Sequence, residues 1–144
     1  MSKIVEIIQE EIDKLAKPFK KTLYHGSNYI FDKFDSNMIG KNADAGWYSK
    51  GIYFTEAKPL ASYYGRYAYV CEVTLSNPFY AQVGNKREFM NVLELDNEMS
   101  PEEITKYLIN KGYDGVVILD YHNPDFVSEC VVYDSNSIKI LKRE

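Results

Sequence analysis

The 144 residues carry 45% hydrophobic and 26% charged side chains, the profile of one soluble globular domain with a buried core. A net charge of −4 argues against a broad nucleic-acid surface, which needs a basic face. Cys71 and Cys130 sit in apolar, strand-like runs without metal-ligand spacing, so no metal site is expected and a reducing cytosol suits the chain.

Residues 3–16 predict an amphipathic helix. Ile4, Ile8, Ile12 and Leu15 fall on one stripe, with Val5 and Ile7 beside it and acids and lysines opposite, and Pro18 ends it. With Glu6, Glu10, Glu11 and Asp13 it is no signal peptide, and no apolar run reaches membrane-spanning length. We divide the chain into a helix and linker at 1–20 and a domain at 21–144.

Residues 22–25 are extended and closed by Gly26; Phe31 and Phe34 are spaced to tuck beneath the core. Residues 36–50 read as a loop around Trp47 and Tyr48, and so long a loop in a small domain usually covers something. Strand 51–55 leads into a short helix at 57–64, with Pro59 in its first turn and Gly65 to close it. YAYVCEVTL at 67–75 alternates as a strand, and Asn77-Pro78 breaks it. A helix is favoured near 87–93. Ser100-Pro101-Glu102-Glu103 is a capping box opening a helix to Asn110, ended by Gly112. Residues 114–120 are a buried strand. Strands at 129–133 and 137–142, joined by the turn Asp134-Ser135-Asn136, predict a hairpin. The fold class is α+β, compact and mostly antiparallel, with a few short helices.

Several residues bear chemistry. His25, before a glycine at a strand end, is either a structural histidine or a ligand. Gly26 lets backbone N–H and C=O approach a ligand, the donor and acceptor pair that a carboxamide requires. Alternation puts Tyr53 on the face of Gly51 and Thr55, and the following helix brings Tyr63 and Tyr64 near. Tyr53 is then a strand aromatic, or one of two rings that clamp a flat cation by stacking and cation–π attraction. Glu129 opens an apolar run as an edge guard or a site acid. His122 reads as a solvated loop residue. No P-loop, GxGxxG or serine nucleophile elbow occurs, so classical dinucleotide-fold binding has no support.

LYHGS at 23–27, KGIYF at 50–54 with Tyr64 following, and ECVVYD at 129–134 with SIKIL after it resemble the ADP-ribosyltransferases of the His-Tyr-Glu class, which include diphtheria-type toxins and poly(ADP-ribose) polymerase catalytic domains. GYDGVVILD at 112–120 resembles the segment before the catalytic strand in small bacterial and phage-borne members. The resemblance spans about 22–142 and implies a split β-sheet core, NAD as substrate, and transfer of ADP-ribose to an acceptor. It implies that His25 bonds the adenosine ribose, that Gly26 reads the nicotinamide carboxamide, and that Ser27 assists at the adenosine side. Tyr53 and Tyr64 would sandwich the nicotinamide, and Glu129 would bond the nicotinamide ribose and orient the acceptor. Ala61 stands where the polymerases carry a serine on the amide, as in diphtheria-type members, and the polymerases' regulatory helical domain has no counterpart. The implied activity is NAD-dependent mono-ADP-ribosyl transfer; the acceptor is a protein, which the acidic charge favours, or else a nucleic acid or a small molecule. NAD glycohydrolysis and a non-catalytic NAD- or ADP-ribose-binding module are the alternatives.

Overall fold

A computed structural model describes residues 18–35, 48–96 and 98–144. The helix expected at 3–16, most of the 1–20 segment and most of the 36–50 loop lie outside the described residues.

Seven strands form two sheets. The first has the order β1 (Phe19–Ser27), β3 (Tyr67–Leu75), β7 (Ile138–Arg143); the second has the order β2 (Ile52–Phe54), β6 (Val127–Val132), β5 (Gly115–Leu119), β4 (Phe79–Gln82). Strands β1 and β3 pair antiparallel along their full length, from Phe19 opposite Leu75 to Ser27 opposite Tyr67. The parallel pairing among the described residues is β4 with β5. Parallel neighbours need a crossover, which helices α2 (Lys86–Leu93) and α3 (Pro101–Asn110) supply. Helix α1 (Lys58–Ala61) follows β2. The molecule is α+β and mostly antiparallel, with few short helices, as the composition and pattern predict.

The second sheet is the middle layer. Its Ile52, Phe54, Val117, Cys130 and Val132 pack against Leu23, Cys71, Val73 and Leu75 of the first sheet. Its other face sets Val116, Ile118 and Val131 against Phe89, Met90, Leu93, Ile104 and Leu108 of the two crossover helices. Burial on both faces explains why β5 reads GVVIL without polar alternation. Both cysteines are buried free thiols, and burial pushes Cys71 up to about 12.

Local signals set the helix ends. The Ser100 hydroxyl accepts from Glu103 N–H at 3.2 Å while the Glu103 carboxylate accepts from Ser100 N–H at 3.2 Å, so the capping box forms as read. Gly112, at φ 94°, stops the helix.

Three expectations are corrected. The strand expected at 22–25 is nine residues long. Strand β4 was not foreseen. Strands β6 and β7 are not a hairpin: β6 lies between β2 and β5, so neither of its edges is open. A 3-10 turn at Ser135–Ser137, where the Asp134 carboxylate accepts from Asn136 N–H at 2.9 Å, carries the chain across to the first sheet. There β7 becomes an edge strand against β3.

Candidate active site

The two sheets meet at an isolated bridge. Tyr24 N–H donates to Thr55 O at 2.8 Å and Thr55 N–H to Tyr24 O at 2.9 Å. Backbone polar groups alternate sides along a strand, so Gly26, two residues beyond Tyr24, turns its N–H and C=O to that same side. Its partner in the register, Ala68, is bonded elsewhere, exchanging bonds with Glu144. Just past the bridge a cleft opens, lined by Tyr24, Gly26, Tyr53, Phe54, Thr55, Ala61, Tyr64 and Glu129.

Helix α1 closes one side of this cleft, and two glycines let it dock. A Cβ at Gly26 would collide with the Ala61 carbonyl and come within 3.2 Å of Tyr64 Cβ; one at Gly65 would meet the backbone of Ser27. Close backbone approach therefore brings Tyr64 beside Gly26. The sequence assigned Gly65 to closing the helix, yet positive φ among the described glycines occurs at Gly112 alone; its role is contact with β1.

Tyr53 is almost fully buried, and its hydroxyl is coordinated on all sides. It donates to Ser49 O at 2.6 Å and accepts from Tyr48 N–H at 2.7 Å and Ser49 N–H at 3.0 Å. Burial raises its pKa well above the usual phenol range, against the pull of those backbone bonds, and the nearby Glu129 carboxylate raises it further. The ring is thus a neutral surface with a fixed orientation.

Glu129 pairs across β6 and β5 with Ile118. Cross-strand partners share a face, so its side chain lies on the face that carries Tyr53 and Val131. That puts a carboxylate in the cleft beside two tyrosines.

His25 and Ser27 do not line the cleft. The His25 ring, 4% exposed, packs behind it against Phe34 at 5.0 Å and Phe54 at 5.4 Å. Its Nδ1 lies 2.6 Å from Tyr53 O; a carbonyl only accepts, so Nδ1 carries the proton and Nε2 of the neutral ring is an acceptor. Desolvation lowers its pKa to about 4, outweighing that hydrogen bond. Ser27 is buried, and its hydroxyl accepts from Tyr29 N–H at 3.1 Å, a local turn contact.

Of the residues singled out in the sequence, the structure brings Gly26, Tyr53, Ala61, Tyr64 and Glu129 together. Exposed Tyr63 points elsewhere, at 85% accessibility. Tyr24, Phe54 and Thr55 had been passed over, although alternation already set Thr55 on the Tyr53 face and Tyr24 in phase with Gly26. Among the described residues no cluster of His, Cys, Asp and Glu could hold a metal ion, and no helix is long and apolar enough to cross a membrane.

Two mostly antiparallel sheets with few short helices are consistent with the fold of an ADP-ribosyltransferase. The family model described as "ADP-Ribosyltransferase in polyvalent proteins" matches residues 17–144, and the chain belongs to that family. No curated protein matches the chain.

Proposed function

We propose that this protein is an NAD-dependent mono-ADP-ribosyltransferase of the His-Tyr-Glu class, a small bacterial or phage-borne, toxin-like member acting in the cytosol of its own or a host cell. The observation that carries the reading is the shared cleft: Gly26, Tyr53, Tyr64 and Glu129 line one surface. In this reading the nicotinamide ring lies against Tyr53 and Tyr64, where a pyridinium gains stacking and cation–π attraction. The backbone pair of Gly26 takes the carboxamide; Ala61 offers no side-chain hydrogen bond to it. The resemblance assigns the adenosine ribose to His25 and the adenosine side to Ser27; both are buried behind the cleft, and the resemblance, not the cleft geometry, supports these two roles.

Chemistry then needs little acid catalysis. The C1′–N bond breaks, its electron pair neutralises the pyridinium, and positive charge develops on the ribose. The Glu129 carboxylate stabilises that charge, holds the ribose hydroxyl, and accepts the proton the acceptor gives up as it bonds to C1′. The tyrosine pair fixes the ring so that the departing bond stays aligned.

Chain elongation would need a second ADP-ribose site beside the cleft, and the cleft residues form one surface; a single transfer is the simpler reading. Net charge of −4 favours a protein acceptor over a polyanionic nucleic acid. Buried free thiols suit a reducing compartment.

The test is incubation with doubly labelled NAD and cell lysate. Nicotinamide release with label on protein is the expected result. Release without transfer indicates a glycohydrolase, binding without release a silent module, and absence of NAD binding overturns the proposal.

A further inference from the structure

Strand β6 enters the cleft through an irregular start. Leu119 pairs with Val127 and Ile118 with Glu129, so Ser128 is an extra residue, a β-bulge immediately before the proposed catalytic acid. A bulge interrupts the ladder and leaves local direction to other contacts. Here those contacts are specific. The Ser128 hydroxyl donates to Ile118 O at 3.1 Å. Glu56, just beyond the Thr55 bridge, holds Val127 twice: its N–H donates to Val127 O at 3.1 Å, and its carboxylate accepts from Val127 N–H at 2.9 Å.

The carboxylate thus acts as the ladder partner that β2, ending at Phe54, cannot provide. Lys21 on β1 fixes it in turn. Its ammonium lies 2.7 Å from the same Glu56 oxygen and 3.3 Å from Asp125 O. One carboxylate ties β1, the end of β2 and the start of β6 at the point where the sheets join.

We infer that Glu56, braced by Lys21, is a positioning residue for Glu129: it holds the bulged start of β6 so that the carboxylate two residues on stands beside Tyr53. The inference rests on the catalytic reading of Glu129 given above. Glu56 does not line the cleft, so its effect falls on turnover rather than on NAD binding.

The experiment measures kcat and KM for nicotinamide release from NAD by the native chain, Glu56→Ala and Glu56→Gln, with Glu129→Gln as reference. A displacement on the order of 1 Å at a reacting group costs about 100-fold in rate. Glu56→Ala is therefore expected to lose roughly 10- to 100-fold in kcat with KM for NAD changed less than about twofold. Glu56→Gln, whose amide oxygen still accepts the Val127 N–H, recovers most of that loss. Should Glu56→Ala fail to fold, Lys21→Met loosens the same carboxylate without removing it, and the same split, a several-fold fall in kcat at constant KM, is expected. Native turnover in Glu56→Ala, a glutamine variant no better than alanine, or a matching rise in KM overturns the inference. Full activity in Glu129→Gln removes the catalytic reading itself and is recognised separately.

Discussion

Tyr53 and His25 show how single residues at the cleft are committed at both ends. The Tyr53 ring faces the cleft while its hydroxyl, bonded three times to residues 48 and 49, anchors the chain that enters β2. Its carbonyl in turn holds His25. Because His25 is lowered from 6.5 to about 4 by burial, the unfolded chain binds more protons than the native one between those values. The stabilisation is therefore complete above pH 6.5 and is lost as pH falls toward 4. At 1.36 kcal/mol per unit this amounts to about 3 kcal/mol, a large part of the roughly 5–15 kcal/mol that holds a domain together. Urea midpoints from pH 7 to 4.5 should fall more steeply for the native chain than for His25→Gln. Parallel slopes would show that the histidine is not buried neutral. At this scale the sequence was a good guide where alternation governs, as at Tyr53. It was silent on His25's position behind the cleft, because that depends on Phe34 and Phe54 arriving from other segments.

Helix α1 is four residues long, too short to hold itself, and its place is set by what it touches. Gly26 was read as a window for a ligand; the structure gives its missing side chain a second purpose, since the Ala61 carbonyl occupies that space. Gly26→Ala forces backbone apart from backbone. We expect a loss of ~1–3 kcal/mol in stability by urea denaturation, with NAD affinity falling further as Tyr64 moves away. A variant with native midpoint and affinity would show that α1 does not rest on this contact. The capping box at Ser100 and the stop at Gly112 were legible because they are local chemistry. The turn at Asp134 was equally legible, but it does not encode which sheet receives the next strand. Strand β4 escaped notice because Phe79–Gln82 is four residues long and owes its state to its neighbour β5.

At the scale of the whole molecule, two sheets share a core yet are joined edge to edge by the Tyr24–Thr55 bridge. The cleft exists because, beyond that single antiparallel bridge, β1 toward Gly26 and β2 back toward Tyr53 part without pairing further. Strand order and register could not be read from the chain, since pairing between residues a hundred positions apart leaves no local trace. The resemblance in three short motifs supplied what periodicity could not, and the family match over 17–144 agrees with it. The central claim is that Glu129 acts on a nicotinamide ribose held by the tyrosine pair. Parallel measurement of NAD binding by calorimetry and of nicotinamide release, for the native chain and Glu129→Gln, tests it most directly. NAD affinity within a few-fold of native, with release reduced by about 100-fold or more, is the expected result; a glutamine variant that releases nicotinamide at the native rate contradicts the role of Glu129.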